Sequence, residues 1–109
     1  MTPENKVKKW LIDKLKKVYP DIWIYKPPGG AYGKKGVPDI ICCTHGLFIS
    51  IEVKATPTGV TSPMQLRQLD LIGEAGGIAC TIKGKDEAKF EKLCKVIDRN
   101  IINLNRCKF

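Results

Sequence analysis

The 109-residue chain has one histidine, His45, and none of its five cysteines (Cys42, Cys43, Cys80, Cys94, Cys107) forms a Cys-x-x-Cys pair. A tetrahedral zinc site of the usual spacing cannot be assembled from that set. An odd thiol count, with three cysteines in or near apolar runs, points to reduced core thiols rather than a disulfide framework, as expected of a cytoplasmic protein. No apolar run reaches membrane-spanning length, and the charged, amphipathic N-terminal segment lacks a signal-peptide core, so no membrane partner is expected. There is no internal repeat and no low-complexity tract. Acids are scarce, with eleven Asp and Glu against nineteen Lys and Arg, and the net charge of +8 favours a polyanionic partner. At this length one domain spanning residues 1–109 is expected, and any further surface must come from another copy.

The placement of the few acids is therefore informative. Two apolar, β-branched runs, 36–43 and 47–54, are separated by Thr44-His45-Gly46, and the only acids inside them are Asp39 and Glu52. The runs read as a hairpin. A four-residue loop from Thr44 to Leu47 sets Cys43 against Phe48, Cys42 against Ile49 and Ile40 against Ile51, giving one continuous apolar face. The same register sets Asp39 against Glu52 with Cβ atoms about 5 Å apart. Lys54, two residues beyond Glu52, shares their face because strand side chains alternate. Adjacent carboxylates on rigid strands repel unless a cation lies between them, and oxygen-only ligands suit Mg²⁺ or Mn²⁺. Taken singly, each residue also reads as turn punctuation or a solvated edge.

Around the hairpin the chain reads in the order αβββαβα. Thr2-Pro3-Glu4 opens a helix with an apolar stripe of Val7, Trp10, Leu11, Leu15 and Val18. A strand over 23–26 leads into the loop 27–36, whose glycines, Tyr32 and the pair Lys34-Lys35 suit close approach to phosphates; a plain solvated connection with Tyr32 at its tip is the other reading. A nucleotide-binding P-loop is excluded, because Pro28 stands where a glycine is required and Lys35 where Ser or Thr must follow the lysine, so no nucleotide cofactor is expected. Ser62-Pro63-Met64-Gln65 is a capping box opening a second helix with a stripe of Leu66, Leu69 and Ile72, ended by Gly76-Gly77. A buried strand over 78–82, reached through a helix, should lie parallel to its neighbour. Asp86 caps a last helix with a stripe of Phe90, Leu93, Ile97 and Ile101, and 103–109 has no clear period.

The combination Gly36-Val37-Pro38-Asp39, then Glu52-Val53-Lys54, then Ser62-Pro63-Met64-Gln65 resembles the PD-(D/E)xK nucleases, and more narrowly their VRR-NUC (virus-type replication-repair nuclease) branch, over residues 4–82. The resemblance implies an α/β domain with a mixed central sheet flanked by helices, and a Mg²⁺-dependent endodeoxyribonuclease for which Mn²⁺ substitutes. Asp39, Glu52 and the backbone carbonyl of Val53 are the implied metal ligands. Glu4 matches the family's helix-one acid, although placement at a helix N-terminus explains it equally well. Lys54 and Gln65 complete the implied catalytic set, Gln65 being already accounted for as a cap. Standalone relatives cut branched DNA such as Holliday junctions as homodimers, in a bacterial or phage-infected cell. Two rival readings stand beside this one: a non-catalytic DNA-binding module of the same fold, and a nuclease acting on RNA or on other DNA structures.

Overall fold

The computed structural model describes residues 1–28 and 36–101. The elements are α1 (Pro3–Val18), β1 (Trp23–Tyr25), β2 (Ile40–Thr44), β3 (Leu47–Lys54), α2 (Pro63–Glu74), β4 (Ile78–Lys83) and α3 (Glu87–Arg99), the expected αβββαβα order. They build one four-stranded mixed sheet in the order β1-β2-β3-β4, antiparallel except for the parallel β3–β4 pair created by the α2 crossover. Each helix starts at a side-chain cap: Thr2 accepts the Asn5 N–H, Ser62 the Gln65 N–H and Asp86 the Lys89 N–H.

The β2–β3 register pairs Cys43 with Phe48, Cys42 with Ile49 and Ile40 with Ile51, as the apolar pattern requires. Pairing continues one step further than expected, to Thr44 opposite Leu47, so the loop is the two residues His45-Gly46 rather than four. Both have positive φ, 49° and 79°, the backbone twist that a two-residue hairpin turn needs. β1 adds to the other side of β2, with Trp23 opposite Cys43 and Tyr25 opposite Ile41, and ends one residue before Lys26.

One face of the sheet is closed. Ile40, Cys42, Ile49, Ile51, Val53 and Ile82 pack there against Val7, Leu11 and Leu15 of α1 and Phe90, Leu93 and Ile97 of α3. Burial of that many branched side chains, each contributing on the order of 1.5–3 kcal/mol, makes this layer the main source of stability. Three stripe positions are exposed. Val18 is exposed because α1 ends there and Tyr19, at the C-cap, takes the inward position, donating its hydroxyl to Asp98 Oδ1 at 2.7 Å. Ile101 lies beyond the end of α3, and Leu66 is exposed because α2 covers only part of the opposite face, with Leu69 as its buried anchor. Among the thiols, Cys42 is buried but Cys43 is exposed, since alternation turns it to that opposite face.

Candidate active site

Asp39 immediately precedes β2, so the register continues to place it across from Glu52 of β3, and Lys54 follows on the same face. Glu52, the one acid of β3, is 1% exposed. Burial, and after it the hydrogen bond and repulsion from Asp39, push its carboxyl up to about 8; Lys54 pulls the other way. Asp39 moves oppositely. Burial disfavours its charge, but the hydrogen bond with Glu52, the Val53 N–H and the Lys8 ammonium together hold it below the ordinary value. The contact thus drives the two carboxyls apart in acidity, Glu52 upwards and Asp39 downwards.

Both Asp39 oxygens are occupied: Oδ2 accepts the Val53 N–H at 2.8 Å, and Oδ1 lies 3.3 Å from Lys8 Nζ. Glu52 Oε2 is buried, and no hydrogen-bond donor among the described residues reaches it. Such an orphan oxygen costs on the order of 1–3 kcal/mol, and beside a second carboxylate it fits a hard divalent cation. No third His, Cys, Asp or Glu joins the pair at ligating distance among the described residues. Glu4 stands at the N-terminal end of α1, with its carboxylate 3.9 Å from the same Lys8 Nζ, so Lys8 bridges it towards Asp39. Lys8 was not legible as a site residue; its one sequence signal is the four-residue spacing from Glu4.

Lys54 Nζ donates to Gln65 Oε1 at 2.9 Å, and that oxygen also accepts the Ser62 N–H at 2.9 Å. Gln65 is both the capping-box residue of α2 and a neighbour of the lysine. Two glycines make these approaches feasible. A Cβ on Gly36, whose φ is +82°, would lie 2.5 Å from the Met64 carbonyl oxygen, so only glycine lets the chain leading to Asp39 pass against the first turn of α2. A Cβ on Gly59 would lie 2.7 Å from Lys54 Cβ; its absence lets the connection to α2 fold over the lysine stem. Tyr32, Lys34 and Lys35, expected to contact DNA, lie outside the described residues.

No protein-family model matches the sequence, and no curated protein matches it significantly. Solved structures do match. One, described as a VRR_NUC domain, superposes over 87% of this chain and 97% of its own with a TM-score of 0.70 at 21% identity. A second, described as a VRR_NUC domain protein, covers 93% of this chain and 89% of its own with a TM-score of 0.63 at 20% identity. The fold is that of a VRR_NUC domain. Within this VRR_NUC fold, Asp39, Glu52, Lys54 and Gln65 lie at one end of the sheet, on the face opposite the core and beside the N-terminus of α2. Among the described residues no helix is long and apolar enough to cross a membrane.

Proposed function

We propose that this chain is a metal-dependent nuclease of the PD-(D/E)xK type, a single domain over residues 1–109 that hydrolyses phosphodiester bonds in DNA. The observation that carries the reading is the Asp39–Glu52 pair: two carboxyls in contact, one with a buried oxygen lacking a donor, with an ammonium two residues along the strand. Structural carboxylates are ordinarily satisfied by donors, whereas a buried carboxylate oxygen left without one beside a second acid is suited to a cation. Asp39 and Glu52 would hold Mg²⁺ or Mn²⁺, with the Val53 carbonyl as a further candidate ligand and Glu4 as a candidate to reach the ion through a bound water. A divalent ion bound there supplies charge that lowers the pKa of a water and offsets charge on the phosphate.

The chain's own groups divide the remaining work. The Val53 N–H fixes the Asp39 carboxylate against the strand, so the acid pair is oriented before substrate arrives. Gln65 holds the Lys54 ammonium, which is thereby aimed rather than free to rotate, and can stabilise the negative charge that grows on phosphate oxygens. The surplus of positive charge, including Lys34, Lys35 and the lysines of α1, supplies sequence-independent phosphate contacts, and Tyr32 a stacking surface.

Branched DNA such as a Holliday junction is the substrate we favour, cut by a homodimer in the cytoplasm of a bacterial or phage-infected cell. One acid pair per chain requires two chains for paired incisions, and a two-fold dimer suits a substrate of approximate two-fold symmetry. The deciding experiment incubates the protein with labelled four-way junction, linear duplex and single strand, in Mg²⁺, Mn²⁺ or EDTA, alongside light scattering for the oligomeric state. Metal-dependent cleavage, fastest on the junction, is expected. Absence of cleavage on every substrate in either metal refutes the reading.

A further inference from the structure

The face that carries Asp39, Glu52 and Lys54 does not end at the acids. Alternation places Ile41 and Cys43 of β2 on it, and cross-strand pairing adds Tyr25 and Trp23 of β1 and Phe48 of β3. α2 covers this face over β3 and β4 but leaves these positions open: Trp23 is 57% exposed, Tyr25 46% and Phe48 45%. Trp23 and Tyr25 stack on each other, their ring centroids 6.0 Å apart and their planes within 19° of parallel. Burying such rings is among the largest gains available to a side chain, and here they stand in water.

We propose that Trp23 and Tyr25 form a stacking platform for an unpaired base next to the phosphate cut at Asp39 and Glu52; this rests on the nuclease reading. Tyr25 is opposite Ile41, two residues along β2 from Asp39 and one strand over, so its Cα is roughly 8 Å from that of Asp39 at ordinary strand spacings. α1 and α3 close the other face, although Lys8 of α1 reaches Asp39 at the end of the sheet; the nucleotides flanking a phosphate at the acids can therefore cross the open face, over β1 or over β4. Over β1 they meet flat aromatic rings, which suit any unpaired base regardless of sequence. A second copy of the chain is the competing occupant. Five side chains are far fewer than the roughly 20–30 residues a side of a stable interface, so this patch alone is too small to be a dimer seam, and flat rings on a chain of net charge +8 suit a nucleic acid. The consequence is a preference for substrates with unpaired nucleotides at the cut over continuous duplex.

The test measures binding in EDTA, so that cleavage does not intervene, with fluorescein-labelled oligo(dT), blunt duplex and a duplex with a single-stranded tail. Trp23→Ala and Tyr25→Ala should each weaken binding to oligo(dT) and the tailed duplex about 5- to 150-fold and leave blunt duplex nearly unchanged. Trp23→Phe should retain most of the affinity. In a Mg²⁺ cleavage assay, an abasic nucleotide placed beside the cut should reproduce the Trp23→Ala loss, with no further loss when the two are combined. Equal weakening on all three DNAs, unchanged binding, or no binding of any oligonucleotide overturns the platform. So does a change of oligomeric state in Trp23→Ala, which assigns the face to a second copy. If DNA binds as described but is never cut, the nuclease reading fails and the platform remains.

Discussion

Lys54 Nζ and Ser62 N–H share a single acceptor, Gln65 Oε1, each at 2.9 Å. The start of α2 and the orientation of the site lysine are thus fixed by one side chain. Gln65→Glu should keep the cap, because Glu fills a capping box as well as Gln, and should tighten the pair with Lys54 by adding charge. A carboxylate there also repels the phosphate. The expected outcome is a melting temperature at or above the parent's with cleavage reduced at least tenfold; Gln65→Leu should lose both, the missing cap costing about 1 kcal/mol. Parental cleavage by Gln65→Glu refutes a role for this residue beyond the cap.

Glu52 and Asp39 should separate in stability although both substitutions abolish cleavage. Glu52 ionises near its ordinary 4.5 when unfolded but only at about 8 when folded, so the unfolded state holds fewer protons in between. Without metal, its contribution to stability is present below about pH 4.5 and is lost as the pH rises towards 8. Glu52→Gln should therefore melt higher than the parent in EDTA at pH 8 and above, by several degrees, with the difference shrinking towards pH 5. Mg²⁺ should raise the melting temperature of the parent and not of the variant.

Asp39→Asn should behave oppositely. Both carboxylate oxygens have partners, Lys8 and the Val53 N–H, and an amide must turn its NH₂ towards one of them. An expected loss of about 1–3 kcal/mol, measured by chemical denaturation in EDTA, follows. Stability equal to the parent's refutes this account of Asp39.

The hairpin was readable because a one-residue slip would have turned Ile40, Cys42, Ile49 and Ile51 into water, so the apolar pattern alone determined the register. That register in turn carried Asp39 to Glu52. The two-residue turn was missed because His45 at positive φ is uncommon for a non-glycine residue, and nothing in Thr44-His45-Gly46 announces it. Lys8 and Tyr19 were missed for another reason. Their partners, Asp39 and Asp98, are distant in sequence, and periodicity reports which face a residue occupies without saying what it meets there. Gln65 was legible twice, from cap spacing and from family resemblance, and its geometry serves both.

Lys8 sits where it neutralises Asp39 in the absence of metal, 3.3 Å from Oδ1, with only 19% of its side chain exposed. It therefore competes with any cation for that oxygen. Lys8→Met keeps the aliphatic stem and should raise Mg²⁺ affinity at pH 8 severalfold, while the metal-free protein loses stability because two partly desolvated carboxyls lose their counter-charge. Calorimetric titration with Mg²⁺ and melting in EDTA read the two effects. Weaker Mg²⁺ binding in Lys8→Met means that Lys8 supports the metal site rather than substituting for it.

Gly36 and Gly76 form a matched test of how tightly the Gly-x-Pro-Asp turn is built. Both have positive φ, +82° and +98°, so alanine costs each about 1–2 kcal/mol in backbone strain. A Cβ at Gly76 meets nothing within 4 Å, whereas at Gly36 it would collide with the Met64 carbonyl at 2.5 Å. The contact is backbone against backbone, and no side-chain rotation relieves it. Gly76→Ala should lose only the strain and retain cleavage. Gly36→Ala should lose more stability and also cleavage, because the first turn of α2 moves and carries Gln65, and with it Lys54, away from the acids. The measurements are denaturation midpoints and single-turnover cleavage of the same junction for both variants. Equal stability losses with equal retained activity would show that the turn tolerates displacement and that Gly36 only supplies a backbone angle.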